Sequence, residues 1–103
     1  MMLLTKANRK ALPALYAQEN KGEDAIAYVK YFLPGTGWTW YATEFDGTDR
    51  FFGLTVGQFT ELGYFSLKEL ASVRSPGWRL KVERDYSFYP TPLKDCRKKH
   101  SGW

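Results

Sequence analysis

The sequence is short of the residues on which most catalytic and disulfide-stapled proteins depend. It has one cysteine, Cys96, and one histidine, His100. A single thiol excludes an internal disulfide and fits a reducing compartment. No apolar run approaches the roughly 18 residues of a membrane-spanning helix. The opening Met1-Met2-Leu3-Leu4 gives way to Thr5-Lys6, short of the roughly 7–15 apolar residues of a signal peptide. A cytoplasmic protein with no membrane association is expected. A glycine-rich phosphate loop, zinc-ligand spacing and the Gly-x-Ser-x-Gly elbow are all missing. No cofactor and no metal is expected.

Aromatic residues, in contrast, are abundant. They make up 17% of 103 residues, within a hydrophobic content of 44%. A chain of this length fits one domain, and its rings must supply much of the core, each burying about 150–250 Å². The net charge of +4 is unevenly spread. Lys6, Arg9 and Lys10 stand at one end, and Lys94, Arg97, Lys98 and Lys99 at the other. Residues 13–93 hold 8 basic and 10 acidic side chains. A mildly acidic body with basic ends weakens any inference from a pI of 9.2 to nucleic-acid binding.

The pattern predicts an α+β fold, an antiparallel β-meander of four to six strands with two short helices. Residues 1–93 form the domain, and 94–103 are expected to be a basic, mobile tail. Thr5 caps a first helix that turns Leu12, Leu15 and Tyr16 to the core and is kinked or ended by Pro13. Residues 18–24 read as a polar loop. Strands follow over 25–33, 38–45, 50–56 and 60–65. Pro34-Gly35-Thr36-Gly37 and Asp46-Gly47-Thr48-Asp49 are the turns between the first three. Ser66-Leu67-Lys68-Glu69 is a capping box opening a second helix. Trp78, Leu80 and Val82 alternate with Arg79, Lys81 and Glu83, as in a half-buried strand. Residues 86–93 read as extended.

Strand alternation sorts the rings onto two faces. Tyr41, Phe45, Phe52, Leu54 and Val56 share one, and Trp38, Trp40 and Phe51 the other. A four-residue loop at 34–37 adds Ile26, Tyr28, Lys30 and Phe32 to the first and Val29, Tyr31 and Leu33 to the second; a three-residue loop would invert one of these assignments. Two short helices can cover one face; the C-terminal segment or a partner must cover the second. The Trp face is expected to be core, and the Tyr41 face, with the acidic hairpin at its end, to dock a partner.

Few side chains suggest chemistry. His100 and Cys96 stand in a basic tail without a positioned partner. Glu83 and Asp85 read as an exposed, salt-bridging strand. Glu44, Asp46 and Asp49 lack calcium-loop spacing and fit ordinary turn chemistry. Tyr28, Lys30, Tyr41 and Arg50 could form a stacking platform for single-stranded nucleic acid.

Three stretches resemble a known family: LLTKANRKALPALYAQE (3–19), WTWYATEFDGTDRFFGL (38–54) and ELGYFSLKEL (61–70). They are similar to the uncharacterised DUF2958 proteins, over roughly residues 3–93. The tail from Arg97 departs from that pattern. The resemblance implies a small bacterial protein carried on mobile elements, with no catalytic residues to transfer. The expected function is a non-enzymatic interaction protein, in that setting an anti-CRISPR or anti-restriction inhibitor of a host nuclease complex. The expected partner-binding residues are Tyr28, Lys30, Tyr41, Glu44, Asp46, Asp49 and Arg50. The alternative is a single-stranded nucleic-acid-binding accessory protein.

Overall fold

The computed structural model describes residues 2–100. Thr5 caps the first helix, α1 (Lys6–Ala11). Its hydroxyl accepts the Asn8 amide, and the Asn8 side-chain oxygen accepts the Thr5 amide, so two orphan amides of the first turn are satisfied reciprocally. The helix stops at Leu12, the residue before Pro13, which proline biases away from helical ψ. Leu12 is buried, as expected. Tyr16 is not: it is exposed with φ 73, and it turns the chain away from the core. The polar loop forms 3-10 turns over Glu19–Asp24, interrupted at Gly22.

The predicted strand over 25–33 divides in two. β1 (Ile26–Ala27) leaves the main sheet to pair with β7 (Thr91–Pro92). β2 (Val29–Phe32) stays and pairs with β3 (Thr39–Phe45). β4 (Arg50–Val56) and β5 (Thr60–Ser66) complete the meander, and β6 (Glu83–Arg84) joins the far side of β2. The five-stranded sheet runs β5-β4-β3-β2-β6, antiparallel throughout. Both predicted turns are present. In the second, the Asp46 Oδ1 accepts the amides of Thr48, Asp49 and Arg50, and Gly47 takes φ 91. The fold is α+β, with short helices on an antiparallel sheet.

Each face has its own core. Val29, Tyr31, Leu33, Trp40, Ala42, Phe45, Phe51 and Phe65 lie on one, covered by Leu4 and Leu12 around α1 and by Leu70 of α2 (Leu67–Ser72). Tyr41, Leu54 and Val56 lie on the other, under Ala25, Ala27, Phe88, Leu93 and Cys96. Phe45 is a correction, since alternation placed it beside Tyr41. The β3–β4 register slips between Ala42 and Glu44, so Glu44 opposes Phe52 and Phe45 opposes Phe51. One extra residue at this bulge carries Phe45 to the Trp face and Glu44 to the Tyr41 face. Opposite the slip, a Cβ on Gly53 would stand 1.8 Å from the Tyr41 carbonyl oxygen; only glycine fits there.

Two further expectations are corrected. The strand predicted from Trp78 is a loop up to Val82. Arg79 takes φ 54, which breaks the alternation and leaves Trp78 and Leu80 exposed. Residues from Lys94, expected to be a mobile tail, continue into α3 (Leu93–Lys98). Leu93 and Cys96 stand three apart on its inner side and are buried. Arg97 pairs with Glu23 and Lys94 with Asp24, which ties the outer side to the 3-10 segment. Residues 101–103 of that predicted tail lie outside the described residues.

Candidate functional site

The bulge that moves Glu44 builds a cleft. Glu44 is buried, and its Oε1 and Oε2 accept the backbone amides of Tyr16 and Gln18, each at 2.8 Å. The buried Gln18 side chain completes the network. Its Nε2 donates to the Ile26 and Thr43 carbonyls at 2.8 Å, and its Oε1 accepts the Ile26 amide at 2.6 Å. These bonds clamp residues 16–26 against the bulged end of β3 and leave every polar atom of the pair occupied. Tyr16 and Gln18 then line a cleft of about 210 Å³ together with Phe52 of β4, Leu62 and Tyr64 of β5, and Leu93.

That volume is below the roughly 300–1,000 Å³ of typical small-ligand sites. It suits one or two side chains of a larger partner. The lining is mostly apolar and aromatic. Phe52 and Tyr64 meet edge to face at 5.1 Å, and the Arg50 guanidinium lies 5.5 Å from the Tyr64 ring centre. A hydrogen bond with the Tyr16 hydroxyl holds the Tyr64 phenol above its ordinary pKa. Tyr16, Leu62 and Tyr64 remain exposed, Tyr64 at 51%.

The cleft adjoins an open sheet edge. The Leu67 amide donates to the Asp49 carbonyl, and the Gly57 amide to the Phe59 carbonyl. With the β4–β5 register, these bonds fix which residues of β5 face β4: Glu61, Gly63 and Phe65. Thr60, Leu62 and Tyr64 therefore turn their backbone N–H and C=O groups outward. No strand pairs with that side among the described residues. The edge is lightly guarded: β5 has one charged side chain, Glu61, and no proline, lysine or bulge.

The residues expected to bind a partner are scattered. Tyr41 is fully buried beneath Phe88 and α3, so it offers no docking surface. Its hydroxyl lies 2.6 Å from His100 Nε2. Lys30 sits 3.6 Å from Asp85 and 5.8 Å from the Tyr41 ring centre, and Tyr28 is half-buried. The stacking platform of Tyr28, Lys30, Tyr41 and Arg50 is therefore not assembled. Glu44 is consumed by backbone amides. Asp46 closes its own turn, which lowers its pKa through the Thr48, Asp49 and Arg50 amides. The Asp49 Oδ1 accepts the Lys68 amide. Only Glu44 and Arg50 belong to the cleft or its rim.

Sequence reasoning missed Tyr16, Gln18, Leu62 and Tyr64. A signal existed for the last two: with Phe52 on the Tyr41 face, an antiparallel hairpin sets Tyr64 opposite Phe52 and Leu62 opposite Leu54. None existed for Tyr16, whose exposure follows from its positive φ. Among the described residues no three of His, Cys, Asp and Glu gather to hold a metal. Burial pushes the Cys96 thiol up to about 11, which leaves little thiolate at neutral pH.

A family model described as "protein of unknown function (DUF2958)" matches residues 3–95. The chain belongs to the DUF2958 family. Every residue lining the cleft falls inside the match, whereas Cys96 and His100 fall beyond it. No curated protein and no solved structure matches the chain. Among the described residues no helix is long and apolar enough to cross a membrane.

Proposed function

We propose that this DUF2958 protein is a non-enzymatic interaction protein that captures an extended segment of a partner protein on β5. The observation that carries this reading is the open edge at Thr60, Leu62 and Tyr64 beside an apolar cleft. An added strand would satisfy the outward backbone groups of these three residues, and its alternate side chains would fall on the cleft face. The partner segment is therefore extended, with an apolar side chain every second residue. Inhibition of a host nuclease complex is one form such capture can take. It would then work by occupying a surface, since Glu44 is buried on backbone amides and leaves only Asp46 and Asp49 of the acidic hairpin accessible.

The test is selection of binding peptides from a random displayed library, followed by amide chemical-shift mapping on the labelled protein. Selected peptides alternate apolar and polar residues and shift Thr60, Leu62 and Tyr64 most. Leu62→Lys, at a side chain already exposed, abolishes their binding without unfolding the protein. Peptides that bind with no shift on β5, or that tolerate Leu62→Lys, contradict the reading. Self-association lost in Leu62→Lys would show that the strand captured is a second copy.

A further inference from the structure

The loop that replaces the strand predicted from Trp78 presents one side chain prominently. Trp78 is 89% exposed, while the loop beneath it is braced. The Ser75 amide donates to the Leu80 carbonyl at 2.9 Å, and the Leu80 amide donates to the buried Ser75 hydroxyl at 2.8 Å. Arg74 and Lys81 pair across its base. Gly77 at φ 73 and Arg79 at φ 54 make the tight turn around the indole. Arg79 is neither glycine nor asparagine, so this left-handed geometry costs energy that the fold must offset. The loop thus holds the indole in water on a braced, strained backbone.

Its surroundings specify the ligand. Residues 70–82 contain Arg74, Arg79 and Lys81 and no acid. Arg79 and Lys81 are exposed and form no ion pair among the described residues. Below the loop, Arg74 and Pro76 line a cleft with Trp38 and Trp40, whose rings stack at 6.0 Å. Trp38 is half-exposed and lies directly over Gly57, where a Cβ would clash with its ring. An exposed ring followed in sequence by two unpaired cations suits a flexible polyanion with aromatic bases. Tryptophan and arginine also mark protein hot spots; the unpaired positive charge is what favours a polyanion here.

We propose that the Trp78 loop binds single-stranded nucleic acid. A base stacks on the Trp78 indole, while Arg79 and Lys81 meet the flanking phosphates. This surface is separate from the β5 edge, so it stands or falls independently of peptide capture.

The probe is a labelled oligothymidine of about 15 nucleotides, within the site sizes of single-strand-binding modules. Fluorescence anisotropy at about 50 mM salt reads its affinity for the full chain. Wild type binds. Trp78→Ala, at a side chain with no burial to lose, weakens binding about tenfold or more. Arg79→Ala with Lys81→Ala weakens binding and flattens the plot of log affinity against log salt by about 1.4, about 0.7 for each lost phosphate contact. A duplex of equal length shows no dependence on Trp78, because its bases are already stacked. Absence of binding by wild type, or unchanged affinity in Trp78→Ala, overturns the proposal. Trp78-dependent binding to phosphatidylserine vesicles with none to the oligonucleotide would also overturn it and assign the loop to a membrane surface.

Discussion

The Glu44 carboxylate accepts the Gln18 amide at 2.8 Å, across a separation of 26 residues. Its second oxygen takes the Tyr16 amide at the same distance. One side chain thus fixes the wall of the cleft and the entry of β1. Glu44→Ala removes two charge-assisted hydrogen bonds and leaves a buried amide unsatisfied. Stability falls by about 3 kcal/mol, since hydrogen bonds to charged groups are worth about 1.5–3 kcal/mol each. Urea unfolding measures it. A loss below about 1 kcal/mol would mean that water replaces the carboxylate and that the clamp is weak.

Gly53→Ala tests the bulge. The new methyl would overlap the Tyr41 carbonyl, which is backbone and cannot swing aside. The expected cost is about 2–3 kcal/mol or more, in the range of overpacked cores. Gly63→Ala is the control, because a Cβ there meets nothing within 4 Å; its expected effect is small. Equal behaviour of the two would contradict the register slip.

The slip also shows where the sequence was legible and where it was not. The Pro34-Gly35 and Asp46-Gly47 turns announce themselves, because each needs a particular backbone geometry that few residues supply. So do the Thr5 and Ser66 caps. The bulge has no such mark at Thr43. Its only trace is Gly53 on the opposite strand, and a glycine inside a strand marks a bulge or close packing alike. Trp78 to Val82 alternates like a strand, and the positive φ at Arg79 that defeats the pattern is invisible in a sequence. In α3 the pair Leu93 and Cys96 was present, but the surrounding charges suggested solvent. The cleft was least legible of all. Tyr16 and Tyr64 are 48 positions apart, and they meet only because Glu44 holds the loop.

Docking of the segment from α3 to His100 is expected to depend on pH. His100 has its pKa lowered by burial and by the Lys30 and Lys99 charges, and its Nε2 faces the Tyr41 hydroxyl. Burial raises the Tyr41 pKa, so the phenol stays protonated and can donate to neutral His100. A histidine with a depressed folded pKa stabilises the fold above its unfolded value of 6.5. That contribution is lost as pH falls through the folded pKa. Thermal unfolding followed from pH 8 to pH 5, values flanking the ordinary histidine pKa of about 6.5, should show declining stability in wild type. His100→Gln should remove that part of the decline. An unchanged profile in His100→Gln would contradict it.

Cys96 provides an independent probe of the same helix. Its thiol is fully buried, with its pKa raised to about 11. A thiol reagent at neutral pH should label it slowly in the native protein and rapidly in denaturant. Because the folded pKa exceeds the unfolded value of 9.0, this group's stabilisation declines as pH rises between 9.0 and about 11. Fast native labelling would mean that α3 opens readily, and that residues from Lys94 are the mobile tail first expected.

Amide hydrogen exchange along β5 tests the central claim most directly, first in the isolated chain and then with a selected peptide bound. The account predicts fast exchange at Thr60, Leu62 and Tyr64 and protection at Glu61, Gly63 and Phe65, with the three fast amides becoming protected in the complex. Uniform protection along β5 in the isolated chain, or three amides that stay fast when peptide is bound, would contradict it.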